Sequence, residues 1–303
     1  MDKKPLYIIT FLLVLIILIT TIAIIQNSKK PVIQLQPIFI EDEPIKIYEF
    51  NESTKFESLR FSDSRISYSI SNECSKSRIN NAVEAFEILE DKTVLSFYEV
   101  NDNPQIKVSC DKSEEKSSEI VGEGGPTFII NTGKYDVILN GTVKLYEDDN
   151  CRTPVIATHE ILHVIGFKHV DNKNSIMYKI SNCDQELTQD IIDEISLKYK
   201  DPALPDMAFK KTQVEKDDRY INFEVSIFNI GLSNTENVNM KIITDDKEIK
   251  TYSLNDFSVG SGKIIKVKNL LVPSSITGLT FIIDKNNDIP EINETNNREE
   301  IVF

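Results

Sequence analysis

All three histidines of this 303-residue chain fall in one short run, His159-Glu160-Ile161-Leu162-His163-Val164-Ile165-Gly166-Phe167-Lys168-His169. Nothing else in the sequence restricts the fold so tightly. On a helix of 3.6 residues per turn, His159 and His163 leave the same face one turn apart and can grip one metal ion. Glu160 then lies beside the opening they leave. Gly166 is a helix stop, free to take a left-handed conformation, after which the chain can turn back and deliver His169 as a third ligand. Three nitrogen ligands with one open position make a catalytic zinc site, whereas structural zinc sites are closed by four protein ligands. A solvated helix with three unrelated histidines would leave their clustering unexplained.

The run resembles the HExxHxxGxxH pattern of the metzincin metallopeptidases, and Ser175-Ile176-Met177-Tyr178 is similar to their Met-turn. The short gap from His169 to Met177, with Tyr178 directly after it, is most similar to the matrixin-like branch, although Val170 and Lys179 depart from the usual pattern. The resemblance implies zinc held by His159, His163 and His169, with Glu160 as catalytic base. It also implies Met177 as an apolar floor that does not ligate, and Tyr178 near a specificity pocket.

Residues 5–26 form an almost unbroken apolar run without a charge, long enough to span a hydrocarbon core of about 30 Å. Lys3 and Lys4 precede it and favour a cytoplasmic N-terminus. The expectation is a single-pass transmembrane anchor over residues 1–28 with the rest of the chain outside the cytoplasm; a cleaved signal peptide, and hence secretion, is the alternative. Export agrees with the even number of cysteines, Cys74, Cys110, Cys151 and Cys183. Of three pairings, Cys74–Cys110 and Cys151–Cys183 are favoured, because the second would bracket the zinc helix and the Met-turn. The net charge of −14 argues against nucleic acid as a partner.

Residues 29–60 are polar, with Pro31, Pro37 and Pro44, and read as a stalk. The peptidase domain is expected over 61–200. Arg65–Ser71 alternates as a strand, Ser77 can cap a helix running to Asp91, and Thr93–Val100 and Gln105–Cys110 are further strands. Gly122–Pro126 reads as a turn-rich loop, without the ending that a phosphate-binding loop needs. Thr127–Asn131, Val137–Leu139 and Thr142–Tyr146 follow as short strands, the last a candidate sheet edge for substrate. Thr153 and Pro154 are start signals for the zinc helix, and Ile156, Ile161, Leu162 and Ile165 would bury its other faces. A closing helix over Leu187–Tyr199, with Thr188 a candidate cap, completes the domain. The fold class expected here is α+β, a mixed sheet with helices.

A linker over 201–206 leads to alternating apolar strands over 207–303, the signature of an all-β immunoglobulin-like sandwich. Asp284-Lys-Asn-Asn-Asp-Ile-Pro-Glu-Ile-Asn-Glu-Thr-Asn-Asn297 resembles the closing hairpin of CARDB adhesion domains, which implies a cell-surface partner for this domain. Asp284, Asn286 and Asp288 have the spacing of a calcium loop, but Ile289 stands where glycine is needed and Thr295 where a bidentate glutamate is needed. A hydrogen-bonded turn is the expectation and Ca2+ the alternative.

Together these readings predict a membrane-anchored, outward-facing zinc endopeptidase acting on protein or peptide substrates. The alternative is a surface adhesion protein whose metzincin-like domain no longer cleaves, against which the intact Glu160 argues.

Overall fold

The computed structural model describes residues 39–43, 45–49, 58–110, 121–149, 151–244 and 247–303. The apolar run at 5–26 and most of the expected stalk lie outside them. Among the described residues, no helix is long and apolar enough to cross a membrane.

The first half is a seven-stranded sheet with three helices. Its strands are β2 (Ile47–Glu49), β3 (Leu59–Phe61), β4 (Arg65–Ile70), β5 (Ser96–Glu99), β6 (Ile106–Ser109), β7 (Gly122–Asn131) and β8 (Asp136–Leu145). The order is β2-β7-β8-β6-β4-β5, with β3 also beside β8. β7 runs antiparallel to β8, and β3, β4, β5 and β6 make parallel pairs. Helix α1 (Lys76–Lys92) is capped by Ser75, whose side chain accepts the Arg78 N–H, two residues before the expected cap. Its buried face carries Ala82, Ala85, Phe86 and Leu89, and Phe86 stacks on Tyr68 at 4.1 Å. Helices α2 (Val155–Val164) and α3 (Gln189–Lys198) complete the layer, and their buried residues join one core with Ile66, Ile106, Val108 and Val143.

Two expectations are corrected here. Gly122–Pro126 is strand, continuous with 127–131, because its glycines serve close packing instead of turning the chain. Thr142–Tyr146 is no sheet edge: with 137–139 it forms the single strand β8, which has β7 on one side and β6 and β3 on the other.

The second half is a sandwich. One sheet has the order β1-β13-β10-β9 and the other β12-β11-β14-β15. The strands are β1 (Phe39–Glu43), β9 (Met207–Asp217), β10 (Tyr220–Asn229), β11 (Thr235–Thr244), β12 (Lys247–Phe257), β13 (Gly262–Leu271), β14 (Gly278–Ile283) and β15 (Arg298–Val302). Inward residues from both sheets, among them Val225, Met240, Ile265 and Phe281, form its core, as alternation requires. At 284–289 the chain makes a hydrogen-bonded turn in which the Asp284 carboxylate accepts the Ile289 N–H at 2.7 Å.

The described part of the expected stalk is also strand. β1 completes a sandwich sheet by pairing with β13, and β2 pairs with β7 of the seven-stranded sheet. Polar composition misled the reading, because edge strands are solvated on their outer side. The halves touch through Ile130, Tyr135, Val137 and Leu232, with Ile45 packed against them. Around this contact Lys134 Nζ meets the buried Asp206 at 2.8 Å, Thr132 Oγ1 donates to the Ile230 carbonyl at 2.8 Å and Tyr135 donates to Asp201 at 2.6 Å.

Candidate metal centre

Helix α2 carries the site. It begins at Val155, and Thr153 does not cap it; Asp149 does that work, its Oδ2 accepting the Ile156 N–H and its Oδ1 the Cys151 N–H, both at 2.9 Å. Ile161, Leu162 and Ile165 are fully buried and fix the helix, while Ile156 is half-buried. The end of α2 is set by Gly166 at φ +97°, with the Phe167 N–H returning to the Leu162 carbonyl at 3.0 Å. That reversal sends the chain back under the helix and brings His169 to the other two histidines.

The three imidazoles converge. Nε2 of His163 lies 3.0 Å from Nε2 of His159, that of His169 lies 3.1 Å from His159 and 3.2 Å from His163. His159 Nδ1 is 2.5 Å from the Ile176 carbonyl, and His163 Nδ1 is 2.8 Å from the Phe167 carbonyl. A carbonyl only accepts, so in His159 and His163 Nδ1 carries the proton and Nε2 presents a lone pair to the shared centre. Lone pairs so placed repel unless a cation lies among them. Zinc–nitrogen bonds of about 2.0–2.1 Å in tetrahedral directions separate the nitrogens by about 3.3 Å, so the donor set fits zinc. Among the described residues, this is the group of His, Cys, Asp and Glu side chains whose geometry could hold a metal. Burial, together with its two histidine neighbours, holds His159 down at about 4, which favours the neutral ligand form; the Ile176 contact opposes this.

Glu160 follows the first ligand and is buried. Burial pushes its carboxyl up to about 8, Glu123 adds to this, and the Gly124 N–H, which hydrogen-bonds to it, opposes. A divalent cation beside it would favour the ionised form. β7 crosses directly over this residue. A Cβ at Gly124 would lie 2.1 Å from the Glu160 carbonyl oxygen, and one at Gly122 would lie 2.8 Å from Glu160 Oε1. Glycine at these two positions lets the strand approach the helix backbone and leaves room for the carboxylate.

Met177 is fully buried, and its N–H donates to Ser175 Oγ at 3.2 Å. The Met177 carbonyl accepts the Val170 N–H at 2.9 Å, which couples the Met-turn to the segment just after His169. Tyr178 is half-buried, its N–H on the Ser175 carbonyl at 3.0 Å. Cys151 is bonded to Cys183, tying the entry of α2 to the exit of this turn, and Cys74 is bonded to Cys110. Three contributors were not identified from the sequence. The Ile176 and Phe167 carbonyls orient the ligands but are backbone groups. Gln185 is buried and clamps the turn by donating to the Ile180 carbonyl at 2.9 Å; its signal would have been a polar residue at a core position.

Comparison with known proteins fits this geometry. Residues 60–200 match the family model described as Matrixin, and residues 205–300 match the CARDB model. The chain therefore carries a matrixin-like domain followed by a CARDB-like domain. No curated protein matches the chain. Among solved structures it is similar to myroilysin, at 12% identity over 47% of this chain and 82% of that one, with a TM-score of 0.35. It is also similar to high choriolytic enzyme 1, a hatching-enzyme zinc protease from Oryzias latipes, at 19% identity over 39% and 55% with a TM-score of 0.27. The CARDB domain of PF1109 from Pyrococcus furiosus, in complex with di-metal ions, is similar at 15% identity over 33% and 88%, with a TM-score of 0.28.

Proposed function

We propose that this chain is a membrane-anchored, extracytoplasmic zinc endopeptidase in which Glu160 is the general base. The Matrixin match supports a zinc metallopeptidase in general. The observation that carries the finer reading is the meeting at one place of three convergent imidazoles, a buried carboxylate and a stretch of β7 that has no strand beside it among the described residues.

His159, His163 and His169 would hold zinc, which when bound polarises a peptide carbonyl and acidifies a water molecule. The chain's own residues supply the remainder. Substrate adds as a strand along the edge of β7 at 122–127, beside which no strand pairs among the described residues, and backbone hydrogen bonds align it. Glu160 lies beneath that edge; its carboxylate takes the proton from water and returns it to the leaving amine nitrogen. Met177 and the carbonyls of Ile176 and Phe167 keep the imidazoles in place. The apolar run at 5–26 anchors the chain, and the CARDB-like domain engages a cell-surface partner.

The test is cleavage of an unfolded protein by the zinc-loaded chain and by its Glu160→Gln variant, with metal content measured on both. The reading expects equal zinc in both and a loss of rate in the variant on the order of 100-fold or more, the low end of what general-base catalysis contributes. Equal rates would remove Glu160 from its role, and no cleavage by the zinc-loaded parent would overturn the peptidase.

A further inference from the structure

The strand edge over Glu160 is not free along its whole length. β2 pairs antiparallel with the far half of β7, Ile47 opposite Ile130, Tyr48 opposite Ile129 and Glu49 opposite Phe128. Its C-terminal end therefore points along the edge toward Gly122 and the metal centre. Antiparallel pairing is the more stable arrangement, so a substrate strand on 122–127 runs in the same direction as β2 and in line with it. The part of a substrate on the N-terminal side of its scissile bond, if long enough, would need the very edge that β2 holds.

β2 is weakly held by itself and strongly held by its tether. All three of its residues are exposed, with Ile47 at 54% and Tyr48 at 46%, so little apolar area secures it. Three residues upstream, β1 is paired along five positions with β13, and Lys266 and Lys263 bridge to Glu41 and Asp42 at 3.1 and 3.4 Å. Between the strands, Ile45 packs into the contact between the two halves. A short tether of this kind keeps β2 at high effective concentration beside β7.

We propose that β2 is a built-in competitor for the substrate edge of β7, so that the enzyme favours substrates with a short extended segment on the N-terminal side of the scissile bond. The proposal rests on the peptidase reading above. It makes the sandwich, through β1, a determinant of substrate choice.

The hydrogen-bond phase of the pair supplies a clean test. The Asn131 N–H donates to the Lys46 carbonyl at 3.3 Å, and bonding positions in an antiparallel pair alternate. The Tyr48 N–H thus faces β7 and the Ile47 N–H faces solvent. Proline at 48 removes a pairing donor, and proline at 47 does not. The zinc-loaded full chain, Tyr48→Pro and Ile47→Pro are each given peptides sharing one cleavable core and one C-terminal arm, lengthened residue by residue on the N-terminal side. Amide exchange at Ile129, read against the β7–β8 amides, reports whether β2 has been released from an otherwise intact sheet.

The expected result is a kcat/KM that stops rising with arm length in the parent and in Ile47→Pro. In Tyr48→Pro it goes on rising, to on the order of tenfold above the parent for the longest peptides, with no change for the shortest. A parent that gains steadily with arm length, or a Tyr48→Pro variant that gains equally at every length, overturns the competitor while leaving the peptidase intact. No cleavage by any form, with zinc bound, overturns both.

Discussion

Gly124 of β7 lies so close to Glu160 of α2 that a single added methyl carbon would stand 2.1 Å from the Glu160 carbonyl oxygen. The proposed substrate strand and the helix carrying the histidines thus approach each other closely at the proposed base. Gly124→Ala must push the two apart. The expected outcome is destabilisation of about 3 kcal/mol, at the upper end for overpacking, together with loss of cleavage. Thermal unfolding and a rate assay on the variant check this, and a variant with parental stability would contradict the contact.

Asp149 starts α2 from outside the helix. Asp149→Ala leaves the Ile156 N–H without its acceptor and is expected to cost about 1 kcal/mol, as the loss of an N-cap does. Asp149→Asn retains an oxygen acceptor and is expected to recover most of it. Denaturant unfolding of the three forms gives the comparison.

Zinc bound at the proposed site should stabilise the fold by mass action. With free zinc at about 100 times its dissociation constant, the gain is about 2.7 kcal/mol, or about 5–10 °C in Tm for a domain of this size. His163→Ala, which takes away one of the three convergent Nε2 atoms, is expected to lose that zinc-dependent rise. Calorimetry with and without a chelator measures both.

Glu291 in the sandwich gives a pH signature away from the metal. Burial pushes its carboxyl up to about 7 from an ordinary 4.5, although the Met207 N–H and the Asn297 amide donate to it. Between those two values the folded chain holds a proton that the unfolded chain has released. Folding therefore takes up protons there, and stability falls as pH rises through the window, by about 3 kcal/mol at most. Thermal midpoints at pH 5 and 8 should differ more in the parent than in Glu291→Gln. Equal slopes would contradict the shift.

What the sequence disclosed follows from the distance over which each signal acts. The convergence of the three histidines was legible because a helix period and one glycine place His159, His163 and His169 together within a few turns of chain. The core residues Ile161, Leu162 and Ile165 were legible for the same reason. Gly122 and Gly124 were misread as a turn, since glycine most often marks a reversal. Their spacing of two residues, which puts both on one face of a strand, was the signal for an extended segment packed against a helix. Thr142–Tyr146 was misread as an edge because neighbours in a sheet are set by tertiary pairing, and nothing local to it reveals that β6 lies beside it. β1 and β2 were missed for a related reason: each is short, solvated and paired far along the chain, with Phe39–Glu43 against a strand more than two hundred residues away.

The central claim is a three-imidazole zinc centre with one open position beside Glu160, and zinc-edge X-ray absorption on the zinc-loaded chain tests it most directly. The account predicts three imidazole nitrogens at about 2.0–2.1 Å, one further light-atom ligand from solvent and no sulfur. A sulfur shell, a centre closed by four protein ligands or a chain that retains no zinc would contradict it.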